Sequence, residues 1–391
     1  MSTLMKQKPA GRFVHPNPRN YKGRLGYACL NTILRHQKPP VFCSRTCRIE
    51  TIRQKGLDFV KELGLQNVRD LSTLIEWNEA HGIKFMRMSS DIFPFASHKD
   101  YGYSLDFAKS ELESIGELAA KYKHRLASVF NIVFNQLGSP NPGVVENTIR
   151  DLSCEYLLLI LHMTLTLICE YADHASMLDL MKLPPDSIMI IFEENYKKLT
   201  DAIKRRLVLE NDELGYSVTD LLPVCQRLDI PLVLDWHHHD INPGEASETL
   251  LDLLPAINET WHRKGITPKQ HYSESRPGAV SAVERRAHSD RVKNLPPASD
   301  DVDLMIEAKD KEQAVFQLYK LYDLYPVDDD VWIADKKMIP KSIKAKKRKK
   351  AVVVEAQDET VVEDTIVEEE EEEVIVGMRT RSRSRKKAKK T

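Results

Sequence analysis

The sequence lacks three features that are typical of secreted or membrane proteins. Its 391 residues contain six cysteines without the paired spacing of a disulfide framework, which favours free thiols in a reducing compartment. The amino-terminal stretch has no apolar core of the kind found in secretion signals, so we do not expect secretion. The apolar run at 156–168 is shorter than the about 20 residues that span a bilayer, so we expect no membrane partner.

The formal net charge is close to zero, at −1, but this total hides separate blocks of basic and acidic residues. Residues 1–23 are polar and basic and predict a disordered arm. Residues 326–391 contain two basic clusters around an acidic run, and such blocks cannot form a core, which predicts a disordered tail. The basic clusters fit nuclear import or contact with a phosphate backbone at least as well as a merely solubilising role. Mitochondrial import is the alternative, because the amino terminus is basic and poor in acidic residues.

Between these tails, residues 24–325 alternate short apolar runs with amphipathic stretches that predict helices. Strands that alternate with helices favour parallel pairing, and eight such units predict an α/β TIM barrel as a single domain. A doubly wound sheet is the alternative, although no glycine-rich phosphate loop follows any predicted strand. The predicted strands are 24–31, 83–90, 125–134, 187–191, 207–212, 231–236, 269–274 and 303–308.

Carboxylates and imidazoles collect where these predicted strands end. Glu210 ends the fifth strand, Asp235 ends the sixth, and the seventh contains Lys269 and His271. The carboxyl ends of TIM-barrel strands form one rim, where the active site lies, so these side chains should converge. Their mixture suits Mn²⁺, Zn²⁺ or iron, and clustered divalent ions activate water against a phosphodiester. The pattern predicts metal-dependent hydrolysis, with metal-assisted sugar isomerisation as the alternative on the same fold.

Several longer motifs together resemble the fungal UV damage endonuclease family: RLGYACLN, FCSRTCR, MRMSSDIFPFASH, LVLENDE, PLVLDWHHH, RKGITPKQHYSE, RRAHSD and DLMIEAKDKEQAV. The resemblance spans roughly residues 20–325. It implies a TIM barrel related to the endonuclease IV-type nucleases and a DNA repair enzyme that depends on divalent metal, usually manganese. Such an enzyme nicks damaged double-stranded DNA immediately 5′ of UV photoproducts. The nick leaves a 3′-hydroxyl and a 5′-phosphate, from which excision repair starts.

The resemblance also implies roles for individual residues. The metal ligands that it implies, for two or three ions, are His98, Glu210, Asp235, His238, His271, His288 and Glu307. The catalytic residues that it implies are Lys269, Glu210 and Asp235. The residues that it places near the DNA and the lesion are Tyr27, Asn31 and Phe134. Candidates for phosphate contacts are the basic residues Arg87, Lys264, Arg285 and Arg286, with plain solvation, as for most surface lysines and arginines, as the alternative. We expect the protein to be a monomer.

The third and fourth strands depart from the family pattern. The third-strand His-Pro-Gly-Gln motif is absent, with Phe130 near the place of the histidine and Val133 at that of the glutamine. The fourth-strand His-Gly-Gly motif is missing after residue 191, while the apolar segment 154–169 has no counterpart in the family. An insertion beside a deletion is typical of a gene-model error, and a catalytically impaired homologue that binds damaged DNA is the alternative. The chain as written is expected to cleave far more weakly than a relative with both histidines.

Overall fold

The computed structural model describes residues 14–89, 92–130, 137–160, 166–169, 185–245 and 249–333. The predictions of disorder for residues 1–13 and 334–391 lie outside these ranges. The strands of the described residues are β1 (Leu25–Ala28), β2 (Phe85–Met88), β3 (Arg125–Phe130), β4 (Thr166–Cys169), β5 (Leu207–Glu210), β6 (Leu232–Asp235), β7 (Lys269–Tyr272) and β8 (Asp303–Ile306).

All eight strands are parallel and form a closed barrel in chain order. The barrel closes where β8 pairs with β1, with Leu25 opposite Leu304 and Tyr27 opposite Ile306. An open doubly wound sheet would leave two edge strands, so this pairing excludes that alternative. The predicted TIM barrel is confirmed.

The longer helices pack against the barrel through apolar stripes. The 24-residue helix Leu57–Ala80, for example, buries Val60, Leu71 and Leu74 at helical spacing. Among the described residues, no helix is both long enough and apolar enough to cross a membrane. The helices are α1 (Thr32–Arg35), α2 (Ile49–Lys55), α3 (Leu57–Ala80), α4 (Lys109–Lys121), α5 (Pro142–Ile160), α6 (Pro185–Lys197), α7 (Asp201–Lys204), α8 (Val218–Leu228), α9 (Trp236–Ile241), α10 (Leu250–His262), α11 (Ala282–Arg285) and α12 (Glu312–Tyr322).

The fourth strand does not lie where the sequence predicted it. The predicted strand 187–191 lies inside helix α6, and β4 instead comes from the apolar segment 154–169 that precedes it. A short apolar run does not distinguish a buried strand from a buried helix by its periodicity. Barrel closure requires a strand between β3 and β5, and Thr166–Cys169 pairs with both of them. Tertiary pairing therefore decided the assignment.

The packed body is wider than the predicted range 24–325. His15 and Tyr21 are buried, and His15 Nε2 lies 3.0 Å from Asp300 Oδ1. At the other end, Trp332 packs on the core and lies under the guanidinium of Arg291. Short segments on both sides of the barrel are therefore part of the folded structure.

Candidate metal centre

Three buried side chains from neighbouring strands meet at the carboxyl-terminal end of the barrel. Glu210 ends β5, Asp235 ends β6 and His271 lies in β7, and none of them is more than 2% exposed. One ligand atom from each residue lies within 4.8 Å of the other two. The parallel register explains the convergence, because Asp235 lies directly opposite His271. These three residues form a group that could hold a metal ion.

Glu307 follows β8 and adds a third carboxylate beside His271. The Nδ1 atom of His271 lies 2.8 Å from Glu210 Oε1 and 3.3 Å from Glu307 Oε1. Glu307 also forms an ion pair with Arg87 of β2. Arg87, which the sequence suggested as a phosphate contact, is therefore held against an acidic residue of the centre.

A short helix brings His238 back over the end of β6. Asp235 is the amino-terminal cap of α9, and its carboxylate accepts the backbone N–H of His238 at 2.8 Å. The His238 ring consequently lies close to the strand end, with 3.7 Å between its Nδ1 and Asp235 Oδ2. The same nitrogen lies 3.0 Å from the carbonyl oxygen of Asn211, and Nε2 lies 3.5 Å from Glu213 Oε2. Capping thus turns Asp235 and His238, three residues apart, toward each other.

Burial and local charge set the protonation of this cluster. Burial raises the pKa of Asp235, and the neighbouring His238 only partly opposes this shift. Burial also acts to raise the pKa of Glu307, but Arg87 and His271 outweigh it and leave the pKa below its usual range. The pKa of His271 is lowered well below its usual range by burial and by the positive charge of Lys269. His271 is therefore neutral, which is the state in which an imidazole binds a metal.

In the metal-free protein the pKa of His238 is shifted in the opposite direction to that of His271. Burial lowers its pKa, but Asp235 and Glu213 outweigh burial and raise the pKa to about 9. A positively charged imidazole therefore lies beside Asp235 at neutral pH. Because a metal ligand must be deprotonated, coordination by His238 would release a proton.

The available donor atoms fit a divalent ion. Asp235 Oδ2 and His271 Nε2 are buried, and neither has a hydrogen-bond partner within the described ranges. Buried polar atoms are nearly always hydrogen bonded, so such atoms indicate a place for a ligand. A mixture of carboxylate oxygen and imidazole nitrogen suits first-row divalent metals better than Mg²⁺.

Two further predicted residues lie beside this cluster. His288 Nδ1 lies 2.7 Å from the carbonyl oxygen of Glu307, and its ring packs against His237 with the centroids 4.9 Å apart. A backbone contact at one ring nitrogen is the usual way to orient a ligating histidine. Lys269 is fully buried in β7, two residues before His271.

His98 is placed differently from the other predicted ligands. Its Nδ1 accepts the backbone N–H groups of Asp100 and Tyr101 at 3.1 and 3.3 Å. Its ring also packs against Phe95 and Tyr101 of the same loop. These contacts fix the ring within its own loop, and a ligand role for His98 stays a prediction.

Tyr27 and Asn31, predicted to lie near DNA, are both buried. Tyr27 donates its hydroxyl proton to Asn78 Oδ1 of α3 at 2.8 Å, and its oxygen accepts a hydrogen bond from Asn31 at 3.2 Å. Asn31 also caps helix α1 by accepting the N–H of Leu34. Their contact with DNA stays a prediction, and Phe134 lies outside the described residues.

The segment after β1 is held by Glu312, a buried acid at the start of α12. Its carboxylate accepts hydrogen bonds from the backbone and the hydroxyl group of Thr32. Burial raises the pKa of Glu312 from 4.5 to about 7, although the hydrogen bonds from Thr32 oppose the shift. Since the folded pKa exceeds the unfolded one, stability is lost as pH rises from about 4.5 through about 7.

We therefore expect Glu312→Gln to be more stabilising, relative to wild type, at high pH than at low pH. The free energy of unfolding of the variant relative to wild type should increase by up to roughly 3 kcal/mol between about pH 4 and about pH 8. Urea unfolding at both pH values measures this difference. Glu259→Gln, at an exposed residue of α10, is the matched control and should show little pH dependence. A difference for Glu312→Gln that does not change with pH would contradict the raised pKa.

Asn211 was not assigned a role from the sequence, although it follows Glu210 directly. Its Oδ1 accepts the N–H of Asp235 at 2.8 Å, and its Nδ2 donates to the carbonyl oxygen of the same residue at 3.0 Å. Asn211 therefore fixes the backbone that carries Asp235. Its position at the end of β5 was the signal that could have identified it.

Comparison with known proteins agrees with this fold. Residues 23–334 match the family model for UV-endonuclease UvdE. The UV-damage endonuclease of Schizosaccharomyces pombe is 53% identical over 330 residues, covering 78% of this chain and 52% of that protein. The UV-damage endonuclease of Neurospora crassa is 43% identical over 394 residues, covering 84% of this chain and 56% of that protein. The crystal structure of SacUVDE superimposes with a TM-score of 0.65 at 25% identity, covering 77% of this chain and 98% of that one.

A closed barrel with buried acidic and histidine residues at its carboxyl-terminal rim defines a TIM-barrel protein with a candidate metal centre. The chain belongs to the UV-endonuclease UvdE family, because the family model matches most of its length. The resemblance that the sequence motifs indicated is confirmed. The chain spans about half the length of the curated relatives that it matches first.

Proposed function

We propose that this chain is a DNA repair endonuclease that depends on divalent metal and nicks immediately 5′ of UV photoproducts. The nick would leave a 3′-hydroxyl and a 5′-phosphate. The observation that carries the proposal is the buried group of Glu210, Asp235 and His271 at the carboxyl-terminal rim of a UvdE-family barrel. Damaged double-stranded DNA is the substrate, and the protein acts as a monomer in the nucleus, with the mitochondrion as the alternative location.

The metal would be held by a mixed set of carboxylates and imidazoles. Glu210, Asp235 and His271 form the central group, and the other proposed ligands are His98, His238, His288 and Glu307. When bound, two or three divalent ions, Mn²⁺ by preference, supply an activated water and neutralise charge on the phosphodiester. The proposed catalytic residues are Lys269, Glu210 and Asp235.

Neighbouring residues set the protonation and the position of the proposed ligands. Burial lowers the pKa of His271, and the positive charge of Lys269 lowers it further, so the ring stays neutral. Arg87 keeps Glu307 ionised through their ion pair. Asn211 holds the backbone of Asp235 through two hydrogen bonds, which limits movement of its carboxylate. Groups that orient the ligands in this way influence metal affinity as well as activity.

A nicking assay tests the proposal directly. Purified protein is incubated with Mn²⁺ and an end-labelled duplex that carries a single cyclobutane dimer, with an undamaged duplex and EDTA as controls. We expect one nick directly 5′ of the dimer, none in the undamaged duplex and none in EDTA. Phosphatase and ligase treatment of the product identifies the 5′-phosphate and the 3′-hydroxyl.

The rate of this reaction tests the departures in the third and fourth strands. Because the two family histidines of those strands are absent from the sequence, we expect single-turnover cleavage at least about tenfold slower than that of a relative which has them. Retarded but uncut DNA would support the impaired DNA-binding homologue. If the protein neither binds nor cleaves the duplex, the proposal is contradicted and the sugar isomerase stays open as the alternative. Equal rates would contradict the expected weakness of this chain.

A further inference from the structure

The chain after β7 forms a projecting loop, residues 275–288, which we call the β7 loop. An antiparallel bridge between Ser275 and His288 closes its base. Two further hydrogen bonds join its sides: Arg276 N–H donates to the carbonyl oxygen of Ala287 at 2.8 Å, and Ser275 Oγ donates to that of Arg285 at 2.9 Å. Since β7 ends at Tyr272, the loop lies on the same face of the barrel as the candidate metal centre. His288 connects the two, because it belongs to the loop and contacts Glu307.

The tip of the β7 loop is held by its own hydrogen bonds. Ser281 and Glu284 form a reciprocal capping box at the start of α11. The Glu284 carboxylate also accepts the backbone N–H of Val280 at 3.1 Å. Gly278 has a φ of +84°, which a side chain would disfavour, and it makes the turn into the tip. These hydrogen bonds restrain the tip.

This ordered tip exposes two valines. Val280 is 84% exposed and Val283 is 71% exposed, more than the other exposed large apolar side chains of the described residues. Burial of a valine side chain normally contributes about 1.5 kcal/mol or more to stability, and neither residue contributes this to the fold. A pair of apolar side chains, held on one rigid tip beside the site, is a surface suited to a partner.

The charges around the valines favour nucleic acid as that partner. The loop contains Arg276, Arg285 and Arg286 against one acid, Glu284, so its formal charge is positive. Arg285 is held by Asp240 of α9, which joins the loop to the element that carries His238. Arg276 is 47% exposed and lies 3.8 Å from Glu284, so its guanidinium is accessible at the tip. Proteins that bind and bend DNA at the minor groove often combine arginines with neighbouring apolar side chains.

We propose that Val280 and Val283 contact the sugars and base edges of the damaged duplex beside the cleavage position, while Arg276 contacts a phosphate. This inference rests on the proposed function and adds a specificity surface to it. The valine contacts are apolar and the arginine contact is ionic. The two kinds of contact therefore depend differently on salt.

The test compares the double variant Val280→Thr, Val283→Thr with wild type. Threonine keeps the β-branched shape, and both side chains are exposed, so the fold should be unchanged. Equilibrium anisotropy in EDTA, where no nicking is expected, gives Kd for a labelled duplex with one cyclobutane dimer over a range of KCl concentrations. We expect Kd to rise about tenfold at every KCl concentration, with the same slope of log K against log salt. Arg276→Gln should instead lower the magnitude of that slope by about 0.9.

Val14→Thr is the matched control, because Val14 is also exposed. It lies at the opposite end of the barrel from the β7 loop, since the next residue, His15, contacts Asp300 just before β8. This variant should bind like wild type. If wild type binds and the double variant binds within twofold of it, the loop proposal is overturned and the proposed function is untouched. If wild type neither binds nor nicks the duplex, the proposed function fails, and the loop proposal fails with it.

Discussion

Asp235→Asn is expected to lower nicking of dimer-containing DNA by more than roughly a hundredfold. Loss of a metal ligand should reduce activity more than loss of a neighbouring residue that only orients a ligand. Asparagine keeps the size of the side chain and can still accept the N–H of His238 as the cap of α9. The change removes the negative charge and the second oxygen, Oδ2, which has no hydrogen-bond partner within the described ranges. Single-turnover kinetics in saturating Mn²⁺ measures the loss.

The same variant should be more stable than wild type when metal is absent. Burial raises the pKa of Asp235, so the ionised carboxylate opposes folding, and its removal should increase the free energy of unfolding in EDTA. We also expect Mn²⁺ to raise the Tm of wild type and to have little effect on the variant. Thermal unfolding with and without Mn²⁺ measures both effects.

Asp252→Asn is the control for this prediction. Asp252 is an exposed capping residue at the start of α10, and the same substitution there should leave nicking and the Mn²⁺ response unchanged. Asp235→Asn protein that nicks at the wild-type rate, with an unchanged Mn²⁺ response, would exclude Asp235 as a ligand. Loss of nicking with an unchanged Mn²⁺ response would instead indicate a role in chemistry alone.

Asp303→Ala is expected to destabilise the protein by about 3 kcal/mol or more, because it leaves a buried charge without its main counterion. Asp303 begins β8 at the amino-terminal end of the barrel, opposite the candidate metal centre. Its Oδ2 lies 2.8 Å from the guanidinium of Arg125 and 3.2 Å from that of Arg24. Arg125 is only 5% exposed, and its guanidinium also lies over the rings of Phe85 and Trp261.

Arg125→Met should cost less than Asp303→Ala. Methionine fills a similar volume, and Asp303 keeps the partly exposed Arg24 as its partner. Urea unfolding of both variants gives the two free energies. Equal costs, or a cost below about 1 kcal/mol for Asp303→Ala, would show that the ion pair does not support this end of the barrel.

Much of the site could be predicted because it follows from strand ends. Glu210 and Asp235 each end an apolar run, and in a barrel of parallel strands such residues share one rim. His271 was predicted by the same reasoning, and the structure places all three within one group. The pairing of Glu307 with Arg87 could not be predicted, since β8 and β2 lie far apart in the chain and approach only when the barrel closes.

The fourth strand shows where local sequence information ends. Residues 187–191 and 166–169 are both short and apolar, so their periodicity alone does not separate strand from helix. The gap between β3 and β5 selects Thr166–Cys169, and residues 187–191 join the following helix. The choice depends on hydrogen bonds to two neighbouring strands, which no local pattern contains.

By itself, the sequence determined the fold class, the family and the strand ends that carry the acidic and imidazole ligands. These depend on alternation of apolar and polar residues and on motif order, which are local properties of the chain. Only the tertiary structure decided which strand completes the barrel, that Tyr27 and Asn31 are buried, and that two valines project beside the site. Burial and charge pairing depend on residues far apart in sequence, so these properties emerge only when the barrel closes.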